Sequence, residues 1–251
     1  MKKVIFILLL IAPVFILIFC TASTTKNKIA GASVSAKGFA VVELFTSQGC
    51  SSCPPADRLL EKFTNKENVY ALSFHVDYWD KGGWKDPFSE AAFTQRQSMY
   101  AHLLNADVYT PQAIVNGEKE MVGSDEENLN SAVNKFLSSP SNVQINVSNV
   151  KPAVTSVSFD YQLQGKFGDA VLNAALVQNK IITTVKAGEN EGLNLTNFNV
   201  VRIFKTVNAD NKSNSISFQL PAGYNKNDLS IILFLQLKNT QKIISAAKVS
   251  L

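Results

Sequence analysis

The sequence predicts an α/β domain followed by an all-β sandwich domain, behind a short apolar leader. Three observations support this prediction: an apolar run at the N-terminus, strand-like and helical segments that alternate up to about residue 139, and strand-like segments alone beyond it. The 251 residues suffice for two domains of ordinary size. Hydrophobic residues make up 46% and charged residues 18%, so the composition is that of a globular protein and excludes a disordered chain.

The charge pattern argues against a nucleic-acid partner. The net charge of +4 arises from scattered lysines and not from a basic block. The all-β half has no glycine-rich phosphate loop and no histidine cluster. We therefore expect no nucleic acid and no cofactor.

Residues 1–22 have the pattern of a signal peptide or lipoprotein signal, and residues 23–37 that of a polar tether. Two lysines precede the apolar run Val4–Phe19, which is the layout of an export signal. Three endings fit: cleavage after residue 22 or after Ala32, lipidation of Cys20, or retention as a single anchor, so the N-terminus could attach to a membrane. In each case we expect the folded part to be exported, in the periplasm, at the cell surface or membrane-anchored in a bacterium.

Two of the three cysteines, Cys50 and Cys53, remain in the body of the chain. A secreted domain that depends on disulfides would carry more cysteines, spread along the sequence. A bridge across two residues also constrains the unfolded chain very little. A purely structural disulfide is therefore the weaker interpretation, and a redox pair or a metal site is favoured.

The elements of the α/β domain follow one another closely. "FAVVELF" predicts a buried strand, "TSQG" a turn, and a helix follows the cysteines from Pro55 to about Thr64, with its apolar positions at helical spacing. "VYALSFHVDYW" predicts the second strand and "DPFSEAAFTQRQSMYAHLL" the second helix. "QAIV" and "KEMV" predict a hairpin around Asn-Gly, and Asp125 opens a last helix.

This order of elements, with Cys-x-x-Cys at the first strand-to-helix turn and a Thr110–Pro111 step before the third strand, resembles thioredoxin-like proteins. The segments "VVELFTSQGCSSCPPAD", "SFHVDYWDKGGWKDPF", "RQSMYA" and "YTPQAIVNG" resemble a bacterial secreted family, domain of unknown function 1223 (DUF1223). The resemblance covers most of residues 38–251 and implies a thioredoxin-like domain at 38–139. It also implies that Pro111 is cis and packs against the cysteine pair.

The chemistry expected of the pair is thiol–disulfide exchange with exported protein thiols or disulfides. The start of a helix lowers the pKa of a thiol, because unpaired N–H groups point at it. We therefore expect Cys50 to be the nucleophile and Cys53 the resolving thiol. By the resemblance, Thr110 presents its backbone to an extended substrate strand. A binding module without chemistry remains an alternative.

Further side chains are candidates for the same site. Glu43, inside an apolar strand, could take a proton from Cys53, or could pair with a lysine. The segment after the second strand is expected to line the rim of the site or to cover a sheet end. Its candidate residues are His75, Asp77, Tyr78, Trp79 and Trp84.

Metal transport is the main rival hypothesis. Cys50, Cys53 and His75 could form a soft thiolate and imidazole site for copper(I) or zinc. A structural zinc usually takes four ligands, and Asp77 is the further candidate, at no strong spacing. We expect no resident metal, and keep a metal carrier as the alternative function.

The all-β domain is predicted at residues 140–251, where about seven short strand-like segments are separated by turn residues. This pattern is typical of an immunoglobulin-like sandwich that binds or supports a partner. Residues 188–202 are too polar and glycine-rich for strand spacing. We expect Glu189, Asn190 and Arg202 in this segment to dock the loop against the first domain or to bind a ligand.

Overall fold

The computed structural model describes residues 38–220 and 224–251. Within them the first half forms, in chain order, β1 (Ala40–Thr46), α1 (Pro54–Thr64), β2 (Val69–His75), α2 (Ala91–Leu104), β3 (Gln112–Val115), β4 (Lys119–Val122) and α3 (Glu126–Leu137). The second half forms β5 (Gln144–Pro152), β6 (Ser156–Gln164), β7 (Ala170–Thr184), β8 (Asn194–Asn208), β9 (Ser213–Gln219), β10 (Leu229–Leu237) and β11 (Ile243–Ser250). Short 3₁₀ helices occupy Asp80–Gly82 and Lys226–Asp228.

The predicted signal segment and tether, residues 1–37, lie outside the described residues. None of the helices within the described ranges is long and apolar enough to cross a bilayer. The structure therefore bears only on the body of the chain that follows the tether.

Helices α1 and α3 form where the sequence predicts them. In α1 the apolar positions at helical spacing are buried, and two prolines occupy its first turn, where the missing N–H groups cost no intrahelical bond. Asp125 caps α3 by accepting the N–H of Asn128 at 3.0 Å. Helix α2 begins at Ala91, later than predicted, and the preceding Asp86 is buried with its carboxylate bonded to Gln48 and His75.

One mixed sheet joins both halves of the chain. Its eight strands lie in the order β11-β10-β7-β8-β2-β1-β3-β4. Strand β1 is parallel to β2 and antiparallel to β3, and β2 is parallel to β8 where Ser73 pairs with Val200. Asn199, at a φ of 45°, donates its side-chain amide to the Ala71 carbonyl at 2.9 Å and strengthens this join.

The predicted fold class, a thioredoxin-like α/β domain followed by a separate immunoglobulin-like sandwich, is wrong. The described residues are 45% strand and 20% helix, and the remaining strands form a second sheet in the order β5-β6-β9. Periodicity identifies strands but not their neighbours, and it did not show that β8 pairs with β2. Residues 194–202, predicted to be irregular, belong to β8.

The hydrophobic core has three parts. One lies between the three-stranded sheet and the part of the large sheet formed by β7, β10 and β11. Helices α1 and α3 cover one face of β1, β2 and β3. Helix α2 covers the other face, where Phe74 and Phe93 pack with Val177 and Phe234 of the second half. The two halves therefore share a core as well as a sheet.

Candidate functional site around Cys50 and Cys53

Cys50 and Cys53 lie in the turn between β1 and α1 and form a disulfide, with their Cα atoms 5.4 Å apart. Cys53 is the N-cap residue of α1. Both cysteines are 0% exposed, whereas Ser51 and Ser52 between them are exposed. The sulfur atoms thus form the inner side of a turn whose outer side faces solvent. We call residues 47–53 the Cys50 turn.

The start of α1 offers fewer free N–H donors than the sequence predicts. Pro54 and Pro55 occupy its first two positions and have no N–H. The Cys53 N–H donates to the Cys50 carbonyl at 3.2 Å, and the Ser51 N–H donates to a Glu189 carboxylate oxygen at 3.1 Å. A Cys50 thiolate would therefore gain less from this helix start than the motif alone suggests.

The Thr110–Pro111 step lies against the cysteine pair, and its peptide bond is cis. Cys50 Sγ is 3.8 Å from the Thr110 carbonyl oxygen, which also accepts the Ser52 hydroxyl at 3.4 Å. Pro111 is buried, and its carbonyl accepts the Gly123 N–H at 2.8 Å. The structure thus brings together the four predicted residues Cys50, Cys53, Thr110 and Pro111.

Two of the predicted rim residues, Trp79 and Trp84, lie beside the Cys50 turn. The Trp79 indole N–H donates to Thr110 Oγ1 at 2.7 Å, and the Trp84 indole N–H donates to Gln48 Oε1 at 3.3 Å. Both side chains are half-buried. A Cβ at Gly49 would come within 3.2 Å of the Trp79 Cβ, so the turn approaches this tryptophan closely.

Tyr78 and Asp77 lie next to the tryptophans in the same loop. Tyr78 packs on Trp79 with ring centroids 6.4 Å apart, and burial raises its pKa. Asp77 accepts the Thr94 hydroxyl at 2.5 Å, and its own N–H donates to the same oxygen at 3.1 Å. Asp77 therefore fastens the loop to α2.

His75 does not line the rim, because its side chain is completely buried. Its Nδ1 lies 2.7 Å from Asp86 Oδ2, which also accepts the Gln48 N–H at 2.8 Å. Burial alone would lower the pKa of His75, but the adjacent Asp86 carboxylate raises it above its ordinary value. Burial would raise the pKa of Asp86, but the charge of His75 and three hydrogen bonds lower it. The two side chains form a buried ion pair.

Asp57 is a buried acid beside this ion pair, one turn after Cys53. Burial raises its pKa to about 6, although the positive charge of His75 opposes the rise. The Thr46 hydroxyl and the Asn197 amide lie near enough to favour its charged form. We call Thr46, Asp57, His75, Asp86 and Asn197 the Asp57 cluster.

Glu43 lies on the other face of the sheet and is not brought to the cysteine pair. Arg96 donates to both of its carboxylate oxygens, at 2.5 and 3.0 Å, and the Tyr100 hydroxyl donates to Oε1 at 2.5 Å. Gln236 donates to the same Tyr100 hydroxyl at 2.7 Å. We call these four residues the Glu43 cluster. The expected partner was a lysine, and the actual one is an arginine.

The loop between β7 and β8 closes over the Cys50 turn. The Asn190 side-chain amide donates to the carbonyls of Gln48 and Cys50, both at 2.9 Å, and Glu189 holds the Ser51 N–H. Arg202 lies further away, with its guanidinium 4.5 Å from the centroid of the Phe88 ring. The structure places Glu189 and Asn190 where a docking loop is expected.

The described residues contain no group of three or more His, Cys, Asp or Glu side chains arranged to hold a metal ion. Cys50 and Cys53 are bonded to each other, and His75 Nδ1 is bonded to Asp86. The structure therefore does not assemble the three side chains that the metal-carrier hypothesis requires.

Sequence reasoning missed Asp57 as part of the site, and it placed Asp86 in the rim segment without predicting its buried pairing with His75. Asp57 carried a usable signal: it is a charged residue four positions after Cys53, next to the buried positions of an amphipathic helix. The pairing of Asp86 with His75 carried no signal, because the chain between the two residues is a loop whose path the sequence does not predict. Asn197 could not be connected to the cysteines, since 144 positions separate it from Cys53.

A family model described as a protein of unknown function, DUF1223, matches residues 41–236. Among solved structures, the crystal structure of protein AGR_C_4864 from Agrobacterium tumefaciens is similar, at 30% identity and a TM-score of 0.68. That similarity covers 86% of this chain and 96% of the other. The comparison with curated proteins found no match.

A weaker similarity involves a domain of the outer membrane lipoprotein Omp28 from Porphyromonas gingivalis. The identity is 9% and the TM-score 0.30, over 44% of this chain and 88% of that domain. At this TM-score the Omp28 domain supports no argument about the fold.

Proposed function

The chain belongs to the DUF1223 family, whose function is unknown, and from this premise we propose that it is an exported protein that performs thiol–disulfide exchange through Cys50 and Cys53. Its partners are other exported proteins that carry thiols or disulfides. The predicted export signal and tether in residues 1–37 support this location in a bacterium. Disulfides persist outside the cytoplasm, which agrees with the disulfide form of the pair.

One observation carries the proposal: the disulfide lies at the start of α1 beside a backbone segment that a substrate strand could use. Cys50 Sγ is 3.8 Å from the Thr110 carbonyl, and the exposed Ser52 hydroxyl donates to that carbonyl. Trp79 holds the Thr110 side chain at 2.7 Å. A peptide that displaces the Ser52 hydroxyl would lie against Cys50, with an aromatic side chain beside it.

The exchange proceeds through a mixed disulfide. A partner thiolate attacks Cys50 Sγ, a bond forms between the two sulfurs, and Cys53 leaves as a thiolate. In the reverse direction Cys53 attacks Cys50 and releases the partner thiol. Because both sulfurs are buried, residues around Cys50 must move before a partner can reach it, and the loop that carries Asn190 is bonded to this residue.

The trapping experiment separates the roles of the two cysteines. In Cys53→Ser the resolving thiol is absent, so Cys50 should retain a glutathionyl adduct after treatment with oxidised glutathione, and mixed disulfides with cellular proteins should accumulate. In Cys50→Ser neither should form to a comparable extent. Intact mass spectrometry and non-reducing gels measure both. Absence of any adduct on Cys53→Ser would refute the exchange reaction.

Complete burial of the disulfide favours a second candidate, a binding module in which the bridge is only structural. In that case the wild-type disulfide would resist dithiothreitol unless the whole protein unfolds. Reduction that is much faster than global unfolding, measured by thiol labelling and by circular dichroism under the same conditions, would exclude this candidate.

A further inference from the structure

Four polar atoms of the Asp57 cluster are buried without a hydrogen-bond partner among the described residues. They are Thr46 Oγ1, Asp57 Oδ1, His75 Nε2 and Asn197 Nδ2. Buried polar groups are almost always bonded, and leaving one unpaired costs about 1–3 kcal/mol. Four of the eight buried, unpaired side-chain atoms among the described residues lie in this one cluster.

These atoms converge on one face of the sheet. Thr46 and His75 are register partners on neighbouring parallel strands, so their side chains lie on the same face. Helix α1, which carries Asp57, packs on this face. Asn197 in β8 and Thr46 both lie close enough to influence the charge of Asp57 without reaching hydrogen-bonding geometry. The cluster is therefore a small polar space under α1.

Asp57 connects this space to the disulfide. It lies four residues after Cys53, and its N–H donates to the Cys53 carbonyl at 3.1 Å, so one helical turn joins them. Side chains four residues apart lie on the same face of a helix and lean toward its N-terminus. Both side chains are buried. This spacing puts the Asp57 side chain on the same side of α1 as Cys53.

The charge of Asp57 changes as the pH passes through about 6. His75 and Asp86 form an ion pair, with the pKa of the imidazole raised and that of the carboxyl lowered. The positive charge of Arg202 lowers the pKa of His75 in part. Burial, together with the charge of Asp86, raises the pKa of Asp57 to about 6 against the opposing effect of His75.

We propose that Asp57 is the proton acceptor for Cys53 in disulfide exchange and that the His75–Asp86 pair positions and stabilises its carboxylate. This inference rests on the proposed function. When the mixed disulfide at Cys50 is resolved, the Cys53 thiol transfers its proton to Asp57 Oδ1. The Cys53 thiolate attacks Cys50 Sγ, the Cys50–Cys53 bond forms, and the partner sulfur leaves as a thiolate.

The reverse reaction returns the proton. A partner thiolate attacks Cys50 Sγ, the disulfide breaks, and the departing Cys53 thiolate takes the proton from Asp57. In this step the partner sulfur is oxidised to the mixed disulfide and Cys53 is reduced to a thiol. In the resolution step Cys53 is oxidised and the partner sulfur is reduced. Glu43 cannot take this role from the other face of the sheet, because both of its oxygens are already bonded.

The experiment follows the reaction of the reduced full chain with oxidised glutathione between pH 4.5 and 8.5, by stopped-flow tryptophan fluorescence and quenched mass spectrometry. Glutathionylation of Cys50 and its resolution by Cys53 appear as separate steps. In Asp57→Asn the rate of resolution should fall by about 10²-fold, and its pH profile should lose the inflection near pH 6. The rate of glutathionylation should stay within a few fold of the wild-type rate. Glu61→Gln, which removes an exposed carboxylate one turn further along α1, should behave as wild type.

The outcomes are distinguishable. A wild-type protein that forms no glutathione adduct overturns the proposed function and this inference with it. A wild-type protein that reacts, with Asp57→Asn resolving at the same rate and the same pH profile, overturns this inference alone.

A second measurement needs no variant. Reduced-minus-oxidised infrared spectra of the wild-type full chain at pH 6 should show a change in the band of a protonated carboxylic acid, because the thiols and Asp57 share a proton. An unchanged carboxyl band would contradict the assignment even if Asp57→Asn failed to fold.

Discussion

The Glu43 cluster and the Asp57 cluster lie on opposite faces of the same sheet, and both bury a carboxylate beside a cationic side chain. In the Glu43 cluster both carboxylate oxygens accept hydrogen bonds, and the Arg96 guanidinium also lies 5.1–5.7 Å from the centroids of four aromatic rings. In the Asp57 cluster one carboxylate oxygen and one imidazole nitrogen have no partner among the described residues.

This difference separates two uses of a buried charge. A carboxylate whose oxygens are all bonded holds elements together, here α2 against β1 and β10. A carboxylate with an unpaired oxygen reduces stability, and groups of this kind cluster at functional sites. For the Asp57 cluster, the chemistry that we propose is exchange at the nearby Cys50–Cys53 disulfide.

The largest expected effect comes from breaking the Glu43 cluster. Arg96→Met should lower the free energy of unfolding by about 3–5 kcal/mol, because Glu43 is left charged and buried without its partner. Urea unfolding at pH 7, followed by circular dichroism, measures the loss. The double variant Glu43→Gln/Arg96→Met should recover part of it. A loss below about 1 kcal/mol for the single variant would show that the pair is not structural.

The next largest effect concerns the Asp57 cluster, where a buried acid lowers the stability of the folded protein instead of raising it. Because the folded-state pKa of Asp57 is about 6 and its ordinary value is 3.8, the folded protein holds a proton that the unfolded chain releases in this window. The free energy of unfolding should therefore fall as pH rises from 3.8 to about 6, by at most about 3 kcal/mol.

Asp57→Asn should remove that slope and leave the oxidised protein more stable than wild type at pH 7. Urea unfolding between pH 4 and pH 7.5 measures it, with Glu61→Gln as the matched control on the exposed side of α1. If Asp57→Asn were less stable than wild type at pH 7, the comparison between the two clusters would fail.

The smallest effect concerns the loop between β7 and β8, which bonds to the Cys50 turn through Asn190. Asn190→Ala removes two hydrogen bonds to the Cys50 turn, each worth about 0.5–1.5 kcal/mol, so reduction by dithiothreitol should become roughly tenfold faster. Asn194→Ala is the control, since its side chain bonds to Thr184 at the base of the same loop and not to the Cys50 turn. Equal rates for both variants would mean that the loop does not control access.

Local structure was predictable because it depends on neighbours in the chain. The spacing of Leu59, Leu60 and Phe63 predicted α1, and Asp125 predicted the start of α3, since caps and amphipathic faces are local features. The sheet was not predictable in the same way. Its join pairs Ser73 with Val200, and the alternation of apolar residues says nothing about a partner so distant in the sequence.

The residues of the candidate site show the same difference between local motifs and long-range contacts. Cys50 and Cys53 at the start of a helix, followed far downstream by Thr110 and Pro111, were recognisable because they form motifs, and the structure places them together. Glu43 was predicted to serve the cysteines, but the alternation of side chains along β1 puts it on the face that α2 covers.

The sequence by itself determined that the chain has a globular body with a Cys-x-x-Cys turn between a buried strand and an amphipathic helix. These features follow from composition and short-range spacing. Only the tertiary structure decided which acid lies near the cysteines, which loop covers them and how the strands assemble. Burial and hydrogen bonding between distant segments set these outcomes, as the contacts of Asn190 with Gln48 and Cys50 show.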